Sequence, residues 1–265
     1  IGSRAEPITV IAGNDRVRLD EIDVTEKFVY LSYRSEALPR VGFMPITDDG
    51  LGPLSPISSE SELTAYGVGA GGEFNPKYVR LATSSFIEPA KLFDFDPETG
   101  ATLLRKQGEV LGHFDASDYL QERLWVTADD GVQIPVSIVS RKDTPRDGTA
   151  PALLYGYGSY EVSLDPGFSI PRLSLLERGF VFAIAHVRGG GELGRLWYEN
   201  GKTLTKRNTF TDFVSCARAL VKEQWTSADR LVAEGGSAGG LLVGAALNLA
   251  PDAFAGIVAD VPFVD

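Results

Sequence analysis

From about residue 124 onward, the chain alternates apolar strands with helical stretches, and this alternation constrains the fold more than any other feature. Several strands are almost continuously apolar, as in a parallel sheet that is covered on both faces. Pro251 ends the last helical stretch. The predicted strands are LWVTA, VQIPVSIVS, PALLYGY, FVFAIAHV, RLVAEGG and AGIVADVPF, and the helices are RLSLLERG, TFTDFVSCARALVKEQ and AGGLLVGAALNLA. This half is therefore predicted to be α/β with a mostly parallel sheet.

Residues 1 to about 115 have a different pattern, in which short alternating or β-branched runs are separated by turn residues. The turn cluster DPETG at 96–100 predicts a hairpin. No helical periodicity of useful length occurs in this half. The predicted strands are ITVIA, KFVYLSY, YVRLATSSF, KLFDF and ATLLRK. We predict antiparallel β-structure, arranged as blades or as a meander.

Composition limits the compartment and the partners. The formal charge of −11 argues against binding to nucleic acid or to an anionic membrane surface. No apolar run approaches the roughly 20 residues that a membrane helix needs. The lone cysteine, Cys216, fits a reducing compartment, so we predict a cytoplasmic protein. The N-terminus lacks an initiator Met and a signal-peptide layout, and we expect the sequence to come from the middle of a longer chain.

The glycine-rich stretch GGGELG at 189–194 matches the dinucleotide-binding pattern G-x-G-x-x-G and follows a predicted strand. The polar stretch RLWYENGKTLTKRN comes next, where such a site needs a helix. A phosphate-binding loop at GKT (201–203) also fails, because Leu196 stands where its first glycine is needed. We therefore predict no nucleotide site, and no cofactor or metal for the chain.

Ser237 lies in GGSAGG, which fits G-x-S-x-G between the strand RLVAE and a small-residue helix. A sharp strand-to-helix turn strains the serine backbone, and flanking glycines remove the Cβ atoms that would clash. The turn exposes the hydroxyl at the carboxyl end of the sheet and directs a helix N-terminus toward a developing oxyanion. We interpret Ser237 as a nucleophile; the alternative is a Gly-Ser loop without chemistry.

The stretch LLYGYGSY at 153–160 ends an earlier predicted strand. From the pattern alone, Tyr155, Tyr157 and Tyr160 are packing residues. The functional alternative is that one phenol hydroxyl donates to an oxyanion, because the second donor in such a fold comes from the loop after an early strand.

Four stretches resemble the prolyl oligopeptidase family of serine peptidases: LLYGYGSY, RLSLLERGFVFAIAHVRGGGELGRLWYENGK, NTFTDF and GGSAGG. The longest is most similar to the oligopeptidase B branch, except that Pro171 stands where that branch has Ser. The resemblance runs from about LFDFDPETG to VPFVD and implies a β-propeller followed by an α/β-hydrolase peptidase domain. We expect residues 1–115 to be the C-terminal propeller blades and residues 116–265 the N-terminal half of the hydrolase domain, both incomplete.

The resemblance also implies the roles of single residues. Ser237 matches the family nucleophile, the backbone N–H of Ala238 matches one oxyanion donor, and the hydroxyl of Tyr157 matches the other. Members of the oligopeptidase B branch cleave short peptides after Lys or Arg, and this is the specificity that we expect.

For substrate binding, Asp165 matches the first of two acids that the branch offers to a basic P2 side chain. Gly167 replaces the second acid, which weakens the case for a basic P2 preference. We also assign Tyr160 to substrate binding.

The base that Ser237 needs is not evident in the sequence. A serine hydroxyl requires a positioned base and an acid that orients it, and in this fold both follow the serine. Both histidines, His113 and His186, come before Ser237. His186 is the alternative base because it closes the strand FVFAIAHV, but the order along the chain is wrong. We therefore expect the triad acid and histidine to lie beyond residue 265 and the chain alone to be inactive.

These observations predict a serine-type oligopeptidase that acts on short peptides through an acyl-enzyme. Three alternatives stay open: a proline-specific oligopeptidase, a plain carboxylesterase, and a propeller binding module joined to a catalytically dead hydrolase fold.

Overall fold

The computed structural model describes residues 9–57 and 63–264, whose strands form three sheets. The first sheet contains β1 (Val17–Val24), β2 (Phe28–Ser35), β3 (Leu38–Thr47), β4 (Gly50–Leu51) and β5 (Ser55–Ile57). The second contains β6 (Ala65–Gly69), β7 (Val79–Ser84), β8 (Lys91–Phe95) and β9 (Thr102–Gln107). The third contains β10 (Tyr119–Thr127), β11 (Gln133–Arg141), β12 (Ala152–Tyr155), β13 (Val181–Ala185), β14 (Leu231–Gly236) and β15 (Gly256–Asp260). The helices are α1 (Ile170–Leu176), α2 (Arg195–Glu199), α3 (Arg207–Lys222) and α4 (Ala238–Leu249).

The first two sheets are antiparallel, which confirms the prediction for this half. The DPETG turn joins β8 to β9, because the Asp96 N–H donates to the Ala101 carbonyl at 2.9 Å. The prediction of a strand at ITVIA is wrong for residues 9–12, while Ile8 lies outside the described residues. The first strand is instead β1, in which Val17 and Leu19 alternate with polar residues and Ile22 and Val24 continue the alternation in the opposite phase, after the register shift between Leu19 and Glu21.

The third sheet has the strand order β10-β11-β13-β12-β14-β15. Strands β13, β12, β14 and β15 pair in parallel, as predicted. Strands β10 and β11 instead form an antiparallel hairpin at one edge, because the connection at 128–132 is too short for a crossover. The polar stretch RLWYENGKTLTKRN, for which the sequence pattern predicts no helix, contains the short helix α2 and the start of α3.

The largest core lies between the third sheet and helices α3 and α4. Helix α3 contributes Phe213, Cys216, Ala217 and Leu220, whose spacing places them on one helix face. The Cys216 thiol is fully buried, and burial raises its pKa well above the usual value. This cysteine is therefore a core thiol.

A second core joins the antiparallel half to the other face of the third sheet. The Phe86 ring meets the Phe182 ring edge-on, with centroids 6.0 Å apart. The Arg172 guanidinium lies 4.9 Å from the first ring centroid and 4.1 Å from the second. Both halves therefore share buried apolar contacts. None of the helices in the described residues has the length and apolar character to span a membrane.

Candidate active site

Ser237 is the single residue between β14 and α4, and its backbone is strained. Its φ of 54° and ψ of −116° lie in a region that side-chain-bearing residues rarely adopt. Ser237 is exposed, whereas Ala238 and Gly239 are buried. The turn thus directs this serine outward at the carboxyl end of a parallel strand, as the G-x-S-x-G pattern predicts.

Backbone hydrogen bonds to the end of β15 hold the turn. The Ser237 N–H donates to the Asp260 carbonyl at 2.9 Å. The Ser237 carbonyl accepts from the N–H groups of Gly240 and Phe263, both at 2.9 Å. The strained residue therefore has both of its backbone polar groups bonded, which stabilises a conformation that is otherwise rarely populated.

The glycines around Ser237 are required by close backbone approaches. A Cβ at Gly235 would clash with the carbonyl of Gly239. A Cβ at Gly239 would lie 2.6 Å from the carbonyl oxygen of Gly156. Strand, helix and the loop after β12 therefore meet at distances that only glycine permits.

The loop after β12 carries Tyr157 to this same edge of the sheet. The Gly156 N–H donates to the Glu234 carbonyl on β14 at 3.1 Å, which anchors the start of the loop. The Tyr157 Cα lies 3.5 Å from the position that a Cβ at Gly239 would occupy. Ala238 begins α4, so its N–H belongs to the first-turn groups that have no acceptor within the helix. The sequence-predicted residues Ser237, Ala238 and Tyr157 thus lie around one helix N-terminus.

The two residues assigned to substrate binding differ in their surroundings. Tyr160 is 65% exposed and has a φ of 57°. Asp165 accepts from two nitrogens of Arg34, at 2.6 Å and 3.2 Å, and its side chain is 36% exposed. Arg34 lies on β2 of the first sheet and is almost completely buried. The sequence pattern does not indicate this partner, which compensates the charge of Asp165.

Neither histidine is arranged as a base for Ser237. His186 is fully buried, and its Nε2 forms a 2.7 Å hydrogen bond with the Ser137 hydroxyl. Burial lowers the pKa of His186 well below its usual value, so the ring is neutral. His113 is an exposed residue before β10.

The GGGELG stretch forms a compact loop that packs against its neighbours. A Cβ at Gly190 would lie 2.8 Å from the Val162 carbonyl oxygen. Arg188, just before it, donates to the buried carboxylate of Asp212 and to Asp130. Atoms of the chain itself thus lie beside the backbone of this loop. Across the part of the chain that the structure describes, no three His, Cys, Asp or Glu side chains are grouped as metal ligands.

Sequence reasoning missed three charged residues near this edge: Arg34, Glu192 and Lys206. Glu192 is fully buried and accepts the Leu164 N–H at 3.0 Å. Lys206 precedes α3 and contacts the loop that carries Tyr157. All three act through partners that are distant in sequence, and only the unusual GGGE run could have drawn attention to Glu192.

Ser237 lies at a strained strand-to-helix turn of a largely parallel sheet, and antiparallel blades precede this sheet along the chain. Together these features define an α/β-hydrolase fold that follows part of a β-propeller. The model of the "Prolyl oligopeptidase family" matches residues 166–265. The model of the "Prolyl oligopeptidase, N-terminal beta-propeller domain" matches residues 2–108. The chain belongs to the prolyl oligopeptidase family, which confirms the predicted family and fold class.

Relatives of known name support this membership. The chain is 44% identical over 258 residues to Protease 2 of Moraxella lacunata, covering 97% of this chain and 37% of the relative. It is 43% identical over 256 residues to dipeptidyl aminopeptidase BI of Pseudoxanthomonas mexicana, covering 96% and 35%. The solved structure of oligopeptidase B from Leishmania major aligns with a TM-score of 0.88 and 41% identity, over 95% of this chain and 36% of that one. The chain thus spans little more than a third of the length of these relatives.

Proposed function

We propose that the protein containing this chain is a serine-type oligopeptidase, with Ser237 as its nucleophile. The observation that carries the proposal is the exposed, strained Ser237 between β14 and α4. The Ser237 Oγ would attack the scissile carbonyl carbon while its proton passes to a base. The Ala238 N–H and the Tyr157 hydroxyl would stabilise the oxyanion. The protonated base then gives this proton to the amine nitrogen as the C–N bond breaks, and water, activated by the same base, hydrolyses the acyl-enzyme and restores the serine hydroxyl.

The general base is proposed to come from outside these 265 residues. His186 is buried and hydrogen-bonded to Ser137, and His113 is an exposed residue far from Ser237 in sequence. A neutral, positioned imidazole with an orienting carboxylate is what serine attack requires. We therefore propose that the chain alone does not turn over peptides.

Short peptides with Lys or Arg at P1 are the proposed substrates. The support is the similarity to oligopeptidase B and to Protease 2, together with the sequence HVRGGGELG…WYENGK.

We divide the chain into propeller blades at 1–115 and hydrolase at 116–265, consistent with the break between β9 and β10. A cap of blades over the sheet edge would admit thin, flexible chains and exclude folded proteins. We place the protein in the cytoplasm because the one cysteine of these 265 residues, Cys216, is a buried free thiol.

A fluorogenic peptide panel tests this function in the complete gene product. The peptides carry Arg, Lys, Pro, Phe or Ala at P1, and a folded protein is digested in parallel. We expect the highest kcat/KM for Arg and Lys and no digestion of the folded protein. A preference for Pro would favour the proline-specific alternative. Ester hydrolysis without peptide cleavage would favour the carboxylesterase. No turnover of any substrate would favour the binding module.

A further inference from the structure

Lys206 occupies a position that is unfavourable for a positive charge. It is the residue that precedes helix α3, where the positive end of the helix dipole repels cations. It is partly buried, and this burial lowers its pKa to about 8. Among residues 9–57 and 63–264, no carboxylate forms an ion pair with Lys206. Since the helix dipole and burial both disfavour the charged ammonium group of Lys206, its other contacts must stabilise it.

Its hydrogen bonds are with the loop that follows β12, and its Nζ also lies 5.9 Å from the centroid of the Phe210 ring. The Lys206 Nζ donates to the carbonyl oxygen of Gly158 at 2.5 Å and to the hydroxyl oxygen of Ser159 at 2.6 Å. Ser159 is almost completely buried. Both acceptors immediately follow Tyr157 in the chain, so the ammonium group lies against the C-terminal side of this residue.

The loop is also held at Gly158 by close packing. Gly158 has a φ of 65°, and a Cβ there would lie 2.6 Å from Val187 Cγ2 and would clash with Thr209 Cγ2 on α3. On the other side of Tyr157, Gly156 is bonded to β14 and packs against Gly239. Tyr157 therefore lies between two anchored glycines, and Lys206 supplies the polar part of the second anchor.

We propose that Lys206 is a positioning residue for the oxyanion tyrosine: its two hydrogen bonds to Gly158 and Ser159 hold the backbone that aims the Tyr157 hydroxyl. The proposal rests on the proposed role of Tyr157. It assigns Lys206 no contact with the substrate. Since an oxyanion donor acts mainly on charge that develops in the transition state, loosening it lowers kcat and leaves KM nearly unchanged.

A double-mutant cycle in the complete gene product tests the proposal, using the best substrate of the peptide panel. Lys206→Met is measured in the native background and in the Tyr157→Phe background. We expect Lys206→Met to lower kcat about tenfold in the native background, with KM changed by less than about twofold. In the Tyr157→Phe background, where no hydroxyl remains to be aimed, the same change should lower kcat by less than about twofold.

Lys202→Met is the matched control, because Lys202 pairs with Glu199 nearby and does not contact the loop. It should leave kcat unchanged. Melting temperatures show whether each variant is folded. If Lys206→Met does not fold, Lys206→Gln, which is shorter and neutral, takes its place in the cycle.

Each remaining outcome contradicts a different statement. If Lys206→Met lowers kcat by the same factor in both backgrounds, Lys206 acts independently of Tyr157 and the proposal is wrong. If Tyr157→Phe lowers kcat but Lys206→Met does not, the oxyanion role stands and the positioning role is wrong. If Tyr157→Phe leaves kcat unchanged, the oxyanion role itself is wrong, and the positioning role with it.

Discussion

The guanidinium of Arg34, on a strand of the first sheet, donates to both carboxylate oxygens of Asp165 on the hydrolase side, at 2.6 Å and 3.2 Å. Arg34 is almost completely buried, whereas Asp165 is partly exposed. The pair therefore joins the two halves of the chain through a bidentate, charge-assisted contact. Asp165, the acid predicted to bind a basic P2 side chain, therefore already has the Arg34 cation beside it.

Arg34→Met is expected to increase the preference for a basic residue at P2. Removing the internal cation leaves the Asp165 carboxylate available to a substrate cation, and an exposed pair of this kind contributes about 0–1 kcal/mol. The measurement is the ratio of kcat/KM for peptides with Arg or Ala at P2, at low ionic strength. The control is Arg34→Met combined with Asp165→Asn, which should return the ratio to its native value. An unchanged ratio in the single variant would show that Asp165 does not face P2.

Glu192→Gln is expected to stabilise the protein increasingly as the pH rises. Burial raises the pKa of Glu192 from 4.5 to about 7. Between these values the folded protein keeps a proton that the unfolded chain releases, so this group favours folding at low pH and progressively less up to pH 7. Glutamine removes the dependence and keeps an oxygen for the Leu164 N–H.

The measurement is the difference in free energy of unfolding between the Glu192→Gln variant and the native protein, from urea denaturation at several pH values. The difference should grow by about 3 kcal/mol between pH 4.5 and 7 and then level off. The neighbouring titratable group is His186, 3.8 Å away, whose burial keeps the ring neutral. A difference that does not depend on pH would contradict a raised pKa at Glu192.

Gly239→Ala and Gly244→Ala should have opposite effects although both lie on α4. A Cβ at Gly239 lies 2.6 Å from the Gly156 carbonyl oxygen, whereas nothing lies within 4 Å of one at Gly244. The first change should cost about 1–3 kcal/mol of stability. It should also lower kcat by displacing the Tyr157 loop. The second should stabilise by up to about 1 kcal/mol, because alanine favours helix. Equal stabilities for the two variants would contradict the close approach of α4 and the loop.

The strand-to-helix turn at Ser237 could be predicted from the sequence because the residues that determine it are local. Glycines flank Ser237 at fixed spacing, and the strand and the helix on either side have clear patterns. In strand β1 the alternation of apolar and polar residues changes phase at the register shift between Leu19 and Glu21, which leaves two runs too short to predict a strand. Helix α2 was missed because its five residues are too few for a periodic pattern.

The contacts of Arg34 with Asp165 and of Lys206 with Gly158 could not be predicted from the sequence. Arg34 is separated from Asp165 by 131 residues and Lys206 from Gly158 by 48. Such pairs depend on how the first sheet and helix α3 pack, which no local pattern encodes. The sequence motif therefore predicts the serine turn but not these charged contacts.

The 265-residue chain, produced alone, is expected to show no peptidase turnover, because neither of its histidines is arranged to serve Ser237. The assay uses the preferred panel peptide at high protein concentration, with Ser237→Ala as the blank. Turnover that exceeds the blank and disappears in His186→Ala would show that the buried histidine is the base after all.

The nucleophilic role of Ser237 is tested most directly by covalent labelling of the complete gene product with a fluorophosphonate probe. Peptide mass spectrometry should locate the phosphonyl adduct on the peptide containing GGSAGG, at the Ser237 hydroxyl. The Ser237→Ala variant, with an unchanged melting temperature, should not be labelled at all. Undiminished labelling of that variant, or an adduct on another serine of the native protein, would place the nucleophile elsewhere and contradict the proposed mechanism.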